Sequence, residues 1–181
     1  RIPVFNKSFI YRFFPSLVVC ALLVSGCSQK SSDSLYRVVG VHDGDTITVL
    51  SSGKQSIKVR LYGIDAPELK QIFGARAKEE LSKLVFGKDI ELVTVSKDRY
   101  GRIIGKVIVG DIYVNQEMIG KGLAWWYKEY SKKDSVLERT EKLAKSEKRG
   151  LWSLKDPVSP WIWRAEEETR RKSKKSIKKS P

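Results

Sequence analysis

The stretch LYRVVGVHDGDTITVLSSGKQSIKVRLY, residues 35–62, decides the architecture. It holds three short runs rich in β-branched and aromatic residues, Leu35 to Val41, Thr46 to Leu50 and Ile57 to Tyr62, with turn signals between them at Asp43-Gly44 and Ser51-Ser52-Gly53. Such side chains suit a pleated, half-buried surface, and Asp, Ser and Gly suit tight reversals of the backbone. Two more runs of the same kind, Ile90 to Val95 and Ile103 to Val109, flank a turn at Tyr100-Gly101. Five short strands predict a small closed or nearly closed sheet.

Between the third and fourth strands, Gly74 to Phe86 sets Ala77, Leu81, Leu84 and Val85 near helical spacing, with charged residues between them. Two further helices are predicted, Val114 to Lys121 ended by Gly122, and Ser135 to Arg149 ended by Gly150. The order strand, strand, strand, helix, strand, strand, helix, helix predicts an α+β domain over residues 35–160, a five-stranded OB-fold β-barrel with about three helices. Barrels of this type commonly hold nucleic acid on one face and in their loops.

Composition narrows the partners. The 181 residues suffice for one domain with appendages, and 41% hydrophobic with 31% charged residues exclude a wholly disordered, collagen-like or multi-span membrane chain. Lys and Arg number 35 against 21 Asp and Glu, a net charge of +14 that attracts polyanions: nucleic acid or an anionic membrane surface. The only cysteines, Cys20 and Cys27, provide neither a disulfide framework nor a zinc site.

Both ends read as appendages. Arg1, Lys7 and Arg12 accompany an apolar run from Phe13 to Val24 that is too short for a ~30 Å hydrocarbon core, so residues 1–26 read as an export signal. Val24-Ser25-Gly26-Cys27 resembles the lipobox of bacterial lipoproteins. That resemblance implies lipidation at Cys27, a tether over 27–34 and a location at the cell envelope, on its periplasmic or extracellular face. A plain secretory signal, or an uncleaved anchor with a chance cysteine, is the alternative. Residues 161–181, with eight Lys or Arg from Arg164 onward and few apolar residues, read as a basic disordered tail.

Three clusters carry chemistry: Val41-His42-Asp43-Gly44-Asp45-Thr46, Arg60-Leu61-Tyr62-Gly63-Ile64-Asp65-Ala66-Pro67-Glu68, and Asp98-Arg99-Tyr100-Gly101-Arg102. Singly, Asp-Gly-Asp is an ordinary turn, Ala-Pro-Glu an ordinary helix entry, and an isolated Arg an ordinary surface residue. Jointly they offer more. Asp45 and Asp65, at strand edges in separate segments, can make an oxygen site for a hard cation, with Ca²⁺ the expected ion. So few charged ligands imply weak binding, in the ~10⁻⁴ to 10⁻³ M range of extracellular modules. Glu68, beside the rigid Pro67, can serve an attacking water, and Arg60 and Arg102 can each grip two oxygens of a phosphodiester. His42, the sole histidine, adjoins a turn, and its residue type alone suggests a base.

These clusters resemble those of the staphylococcal nuclease (thermonuclease) family. The resemblance continues through Val114-Asn115, Gly122-Leu123-Ala124 and Gly150-Leu151-Trp152-Ser153, covering about Leu35 to Asp156. It implies an OB-fold nuclease that hydrolyses DNA and RNA with Ca²⁺, cleaving the bond to the 5′ oxygen and leaving 3′-phosphates. On that resemblance Asp45, Asp65 and the Ala66 carbonyl ligate calcium, Glu68 orients or deprotonates water, Arg60 and Arg102 clamp the phosphate, and Tyr100 and Tyr130 contact substrate. Ala66 and Lys128 depart from the family's best-known member, which has Thr and a substrate-facing Tyr there. Trp125-Trp126-Tyr127 offers either replacement stacking surfaces or, for at least two of the three, core. The expected substrate is single-stranded or locally opened nucleic acid, and the expected state a monomer without a protein partner. A non-catalytic nucleic-acid-binding module is the rival reading, but it leaves the paired acids unexplained, as does a surface protein that binds anionic polymers by charge alone.

Overall fold

The computed structural model of the protein describes residues 35–177. The readings of residues 1–26 as a signal, of Cys27 as a lipidation site, of 27–34 as a tether and of 178–181 as part of a tail lie outside the described residues.

Strands β1 (Leu35–Val41), β2 (Thr46–Leu50) and β3 (Ser56–Leu61) form an antiparallel meander, as the turn residues between them require. A two-residue strand β4 (Ile64–Asp65) follows, then helix α1 (Gly74–Val85) and the antiparallel pair β5 (Asp89–Lys97) and β6 (Ile103–Val109). β1 pairs antiparallel with β5, and β3 pairs in parallel with β6 through Val59↔Ile103, Arg60↔Ile104 and Leu61↔Gly105. The circuit β1-β2-β3-β6-β5 thus closes on itself, the expected five-stranded barrel. Irregularities in register at Val38/Gly40 of β1 and Thr94/Ser96 of β5 increase local bending, which closure of so small a barrel needs.

β7 (Ile112–Tyr113) extends the sheet, and α2 (Val114–Gly120), β8 (Trp125–Trp126) and α3 (Ser135–Ser146) follow. β8 pairs with β4, opposing Ile64 to Trp126 and Asp65 to Trp125. The core takes the inward positions of the strands, Val38, Ile47, Val49, Val59, Leu61, Ile90 and Val107, and is closed by α1 through Ala77, Leu81 and Val85, spaced four apart on one face. Each large apolar side chain buried there contributes roughly 1.5–3 kcal/mol. Gly122 ends α2 with φ +64°, and a Cβ there would lie 2.1 Å from the Arg149 carbonyl oxygen, so only glycine lets the chain after α3 pack against this corner.

The tail differs from its sequence reading. Pro160–Ile177 forms a helix, α4, in place of the disordered segment expected over 161–181. The composition test asks whether a segment buries enough surface by itself, but α4 is held in another way. Pro160 at its first position has the backbone angle a helix needs, and Glu167–Arg170 (3.0 Å) and Glu168–Lys172 (2.7 Å) are acid-before-base pairs at helical spacing. Its first turn is anchored by aromatic packing. Among the described residues no helix is long and apolar enough to cross a membrane.

Asn115, fully buried at the start of α2, joins the barrel to the segment that carries β4. Its Oδ1 accepts from Val107 N (3.0 Å), and its Nδ2 donates to the carbonyls of Tyr62 (2.8 Å) and Gly105 (3.3 Å). Asn115→Ala takes the partner from the Val107 N–H and the Tyr62 carbonyl, while the Gly105 carbonyl keeps the Tyr62 N–H (2.8 Å), and urea unfolding is expected to show a loss of about 2 kcal/mol.

Candidate active site

The site begins at the β1–β2 turn. Asp43 Oδ1 accepts from Asp45 N (3.0 Å), and Gly44 lies so close to the second cluster that a Cβ on it would be 2.7 Å from the Cβ atoms of both Ala66 and Ala77. This close approach carries the buried Asp45 carboxylate to three donors: Ala66 N (2.8 Å, to Oδ2), Thr46 Oγ1 (2.9 Å, to Oδ1) and Arg60 Nη1 (2.9 Å, to Oδ1). Arg60 sits opposite Thr46 across the β2–β3 ladder, and its other terminal nitrogen, Nη2, donates to Asp65 Oδ1 at 2.6 Å. Asp65, 0% exposed, is held in β4 by the pairing with Trp125. One guanidinium therefore joins two buried carboxylates from separate segments.

Burial pushes the Asp45 carboxyl up to about 7; Arg60 opposes the shift, and the neighbouring Asp43 and Asp65 add to it. Burial also works against the charge of Arg60, but Asp45 and Asp65 outweigh it and raise its pKa. A hard cation fits this donor set, since both side chains offer carboxylate oxygens and the site already draws positive charge to itself. Among the described residues no three His, Cys, Asp or Glu side chains converge as a metal cage. A cation here would thus depend on main-chain, solvent or substrate oxygens for the rest of its shell, as the Ala66 carbonyl reading requires.

Glu68 follows Pro67 in the loop after β4, where its N–H donates to Gln71 Oε1 (3.2 Å). Its carboxylate meets Asp65 through a residue that the sequence reading left in the tail. Arg164 of α4 donates from Nη2 to Asp65 Oδ2 (2.8 Å) and from Nη1 to both Asp65 Oδ1 (3.2 Å) and Glu68 Oε1 (3.0 Å). Burial disfavours the Arg164 charge, yet its bonds and charge contacts with Asp65 and Glu68 raise its pKa. Asp45, Arg60, Asp65, Ala66 and Glu68 thus gather as the sequence suggests, with Arg164 among them.

Arg102, Tyr100 and Tyr130 make other contacts. Arg102 Nε donates to Asp98 Oδ2 (2.7 Å) within the β5–β6 hairpin, and its guanidinium lies 5.8 Å from the Tyr100 ring centre. Asp98 also accepts from the N–H groups of Tyr100 (2.9 Å) and Arg102 (3.0 Å), and these bonds overcome burial to lower its pKa. Arg102 touches none of Asp45, Asp65 and Glu68: the second guanidinium at the acids is Arg164. Tyr100 and Tyr130 are exposed, and the Tyr130 ring centre lies 4.7 Å from that of Tyr127. His42 Nε2 lies 2.7 Å from Thr48 Oγ1 of β2.

Of the three adjacent aromatics, only Trp126 is core; its indole N–H donates to Ser131 Oγ (2.8 Å). Trp125 and Tyr127 are half-buried and line an open cleft of about 480 Å³ with Trp161, Lys128 and Lys145. Trp161 stacks on Tyr127 (5.5 Å between centres, 4° between planes) and meets Trp125 edge-on (5.6 Å). The signal for this contact was available: Pro160-Trp161 opens a helix with an aromatic one turn before Arg164.

A closed OB barrel with a buried pair of acids, one guanidinium between them and a net charge of +14 defines a protein that handles phosphodiesters. Comparison with known sequences specifies the class further. The family described as "Staphylococcal nuclease homologue" matches residues 58–154. An uncharacterized endonuclease of Haemophilus influenzae is 41% identical over 152 residues, 84% of each chain. Another uncharacterized endonuclease, from Escherichia coli, is 48% identical over 129 residues, 71% of this chain and 83% of that one. A micrococcal nuclease of Shigella flexneri is 40% identical over 143 residues, 74% of this chain and 82% of that protein. The chain belongs to the staphylococcal nuclease family and is a nuclease, a hydrolase whose substrate is nucleic acid.

Asp45 also gives stability a pH dependence. Its folded-state pKa, about 7, stands above the ordinary 3.8, so folding favours its protonated form and loses that contribution as pH rises through about 7. In chelator, the melting temperature of wild type should fall relative to that of Asp45→Asn as pH rises from about 4 to about 7, with no further divergence above that range. A constant difference across this range would contradict the assigned ionisation.

Proposed function

We propose that the protein is a Ca²⁺-dependent phosphodiesterase that cleaves DNA and RNA to products with 3′-phosphates. The observation that carries this reading is the single Arg60 guanidinium held between Asp45 and Asp65, with Glu68 tied to Asp65 beside it. Asp45, Asp65 and the Ala66 carbonyl would hold calcium, which when bound neutralises phosphate charge and polarises the phosphorus centre. Glu68, 40% exposed in its side chain and so open to solvent, accepts a proton from the attacking water. Arg60 has more N–H donors than its two carboxylate bonds use, and the remainder can meet non-bridging phosphate oxygens. The second phosphate clamp in this reading is Arg102, assigned by the resemblance of its cluster Asp98-Arg99-Tyr100-Gly101-Arg102. Each such charged donor supplies about 10²- to 10³-fold in rate.

The exposed rings of Tyr100 and Tyr130 suit contacts to an opened strand, since a duplex hides its base faces. This supports a preference for single-stranded or locally opened substrate. The motif at Cys27 supports anchoring by lipid at the cell envelope, and the nuclease works there as a monomer.

Incubation with single-stranded DNA or RNA tests the reading: cleavage with Ca²⁺, its loss in chelator and phosphatase-sensitive 3′ ends are the expected results. Salt-sensitive binding without cleavage would favour the non-catalytic module. Glu68→Gln and Arg102→Lys should each lower turnover by at least about tenfold with little change in folding, and full activity in either variant would overturn the role assigned to it. Radiolabelled fatty acid should enter the wild-type protein expressed from its full chain and not Cys27→Ser.

A further inference from the structure

Glu68 has an exposed side chain in a loop, and its own position supplies little to hold its carboxylate near a second buried acid. Like charges repel, and a solvated carboxylate on a flexible side chain gains rotamer freedom by turning to water. Among the described residues, the one side chain that holds the Glu68 carboxylate is Arg164. Its planar fork serves both acids, because Nη1 lies 3.0 Å from Glu68 Oε1 and 3.2 Å from Asp65 Oδ1 while Nη2 lies 2.8 Å from Asp65 Oδ2. An ammonium group lacks that geometry.

Arg164 is itself held from two sides. Trp161, one helical turn earlier and therefore on the same face, is stacked on Tyr127 and set edge-on to Trp125. Ahead of α4, Gln71 Nε2 donates to the Val158 carbonyl at 2.5 Å, and Gln71 Oε1 accepts from the Glu68 N–H. The loop bearing Glu68 and the entry to α4 are thus tied through one buried glutamine. From Ala165 to Lys175 the side chains of α4 are largely exposed, so its first two turns are the part committed to the site.

We propose that Arg164 is a positioning residue of the nuclease site, holding the Glu68 carboxylate beside Asp65, and that the first two turns of α4 are a component of the active site. The proposal rests on the role given to Glu68 under the proposed function. Arg164 acts through Glu68, and substrate binding is left largely to other groups.

A kinetic double-mutant cycle on the full chain tests it. Arg164→Gln is expected to lower kcat by about tenfold with KM changed less than about threefold, and in a Glu68→Gln background the same substitution should change the residual kcat by less than about twofold. Added guanidinium ion should restore part of the kcat of Arg164→Ala and none of that of the Arg164→Ala, Glu68→Gln pair. Arg164→Lys, which keeps the charge without the fork, should fall between wild type and Arg164→Gln while retaining the wild-type circular dichroism spectrum. Equal losses in both backgrounds, no loss, or a gain in turnover that marks Arg164 as a plug would each overturn the proposal. If Glu68→Gln alone keeps full activity, the proposed function of Glu68 fails first; if it is inactive while Arg164→Gln is not, only this inference fails.

Discussion

The Arg60 guanidinium lies between Asp45 and Asp65, and the geometry of the rim depends on it. Two carboxylates shielded from water repel each other and lose hydration, and an isolated buried charge of this kind is worth several kcal/mol of instability. A single planar cation with two terminal nitrogens answers both at once. The answer holds only if three backbones meet to within a fraction of an ångström. The β2–β3 register sets Arg60 beside Thr46, the β4–β8 pair sets Asp65, and the close approach of Gly44 to Ala66 sets Asp45.

That arrangement also explains how an acidic site can work on a polyanion. The chain as a whole carries +14, which draws nucleic acid from a distance in a salt-dependent way, but the acids at the rim would repel a phosphate at close range. Guanidinium groups at the acids and at the β5–β6 hairpin offset this locally. Under the proposed function, long-range attraction and short-range chemistry fall to different residues: the exposed lysines and arginines of α4 and the surface for the first, and the half-buried Arg60 and Arg102 for the second.

Helix α4 joins the two. Its exposed turns carry basic charge, while Trp161 and Arg164 in its first turns reach the aromatic cleft and the acids. A test of composition judges the segment by what it buries alone, and alone it buries little. The pairs Glu167–Arg170 and Glu168–Lys172 and the contact of Trp161 with Tyr127 are what make it helical, and the last of these needs a partner more than thirty residues away in the chain.

Alternation of β-branched residues, the turn dipeptides and the glycines after α2 and α3 made the barrel and three helices readable from residues 35–150, because these signals act over a few residues. The motif clusters likewise marked Asp45, Arg60, Asp65 and Glu68 as one group. What no local pattern carries is the pairing of side chains across distant segments. Which arginine meets the acids was decided by the docking of α4, and Arg102, read as part of the same group, is held by Asp98 four residues away. Likewise only the folded chain determined that Trp126 points into the core while Trp125 and Tyr127 meet Trp161. Sequence specifies local backbone and the kinds of charge available; distances between charges exist only once the barrel has closed.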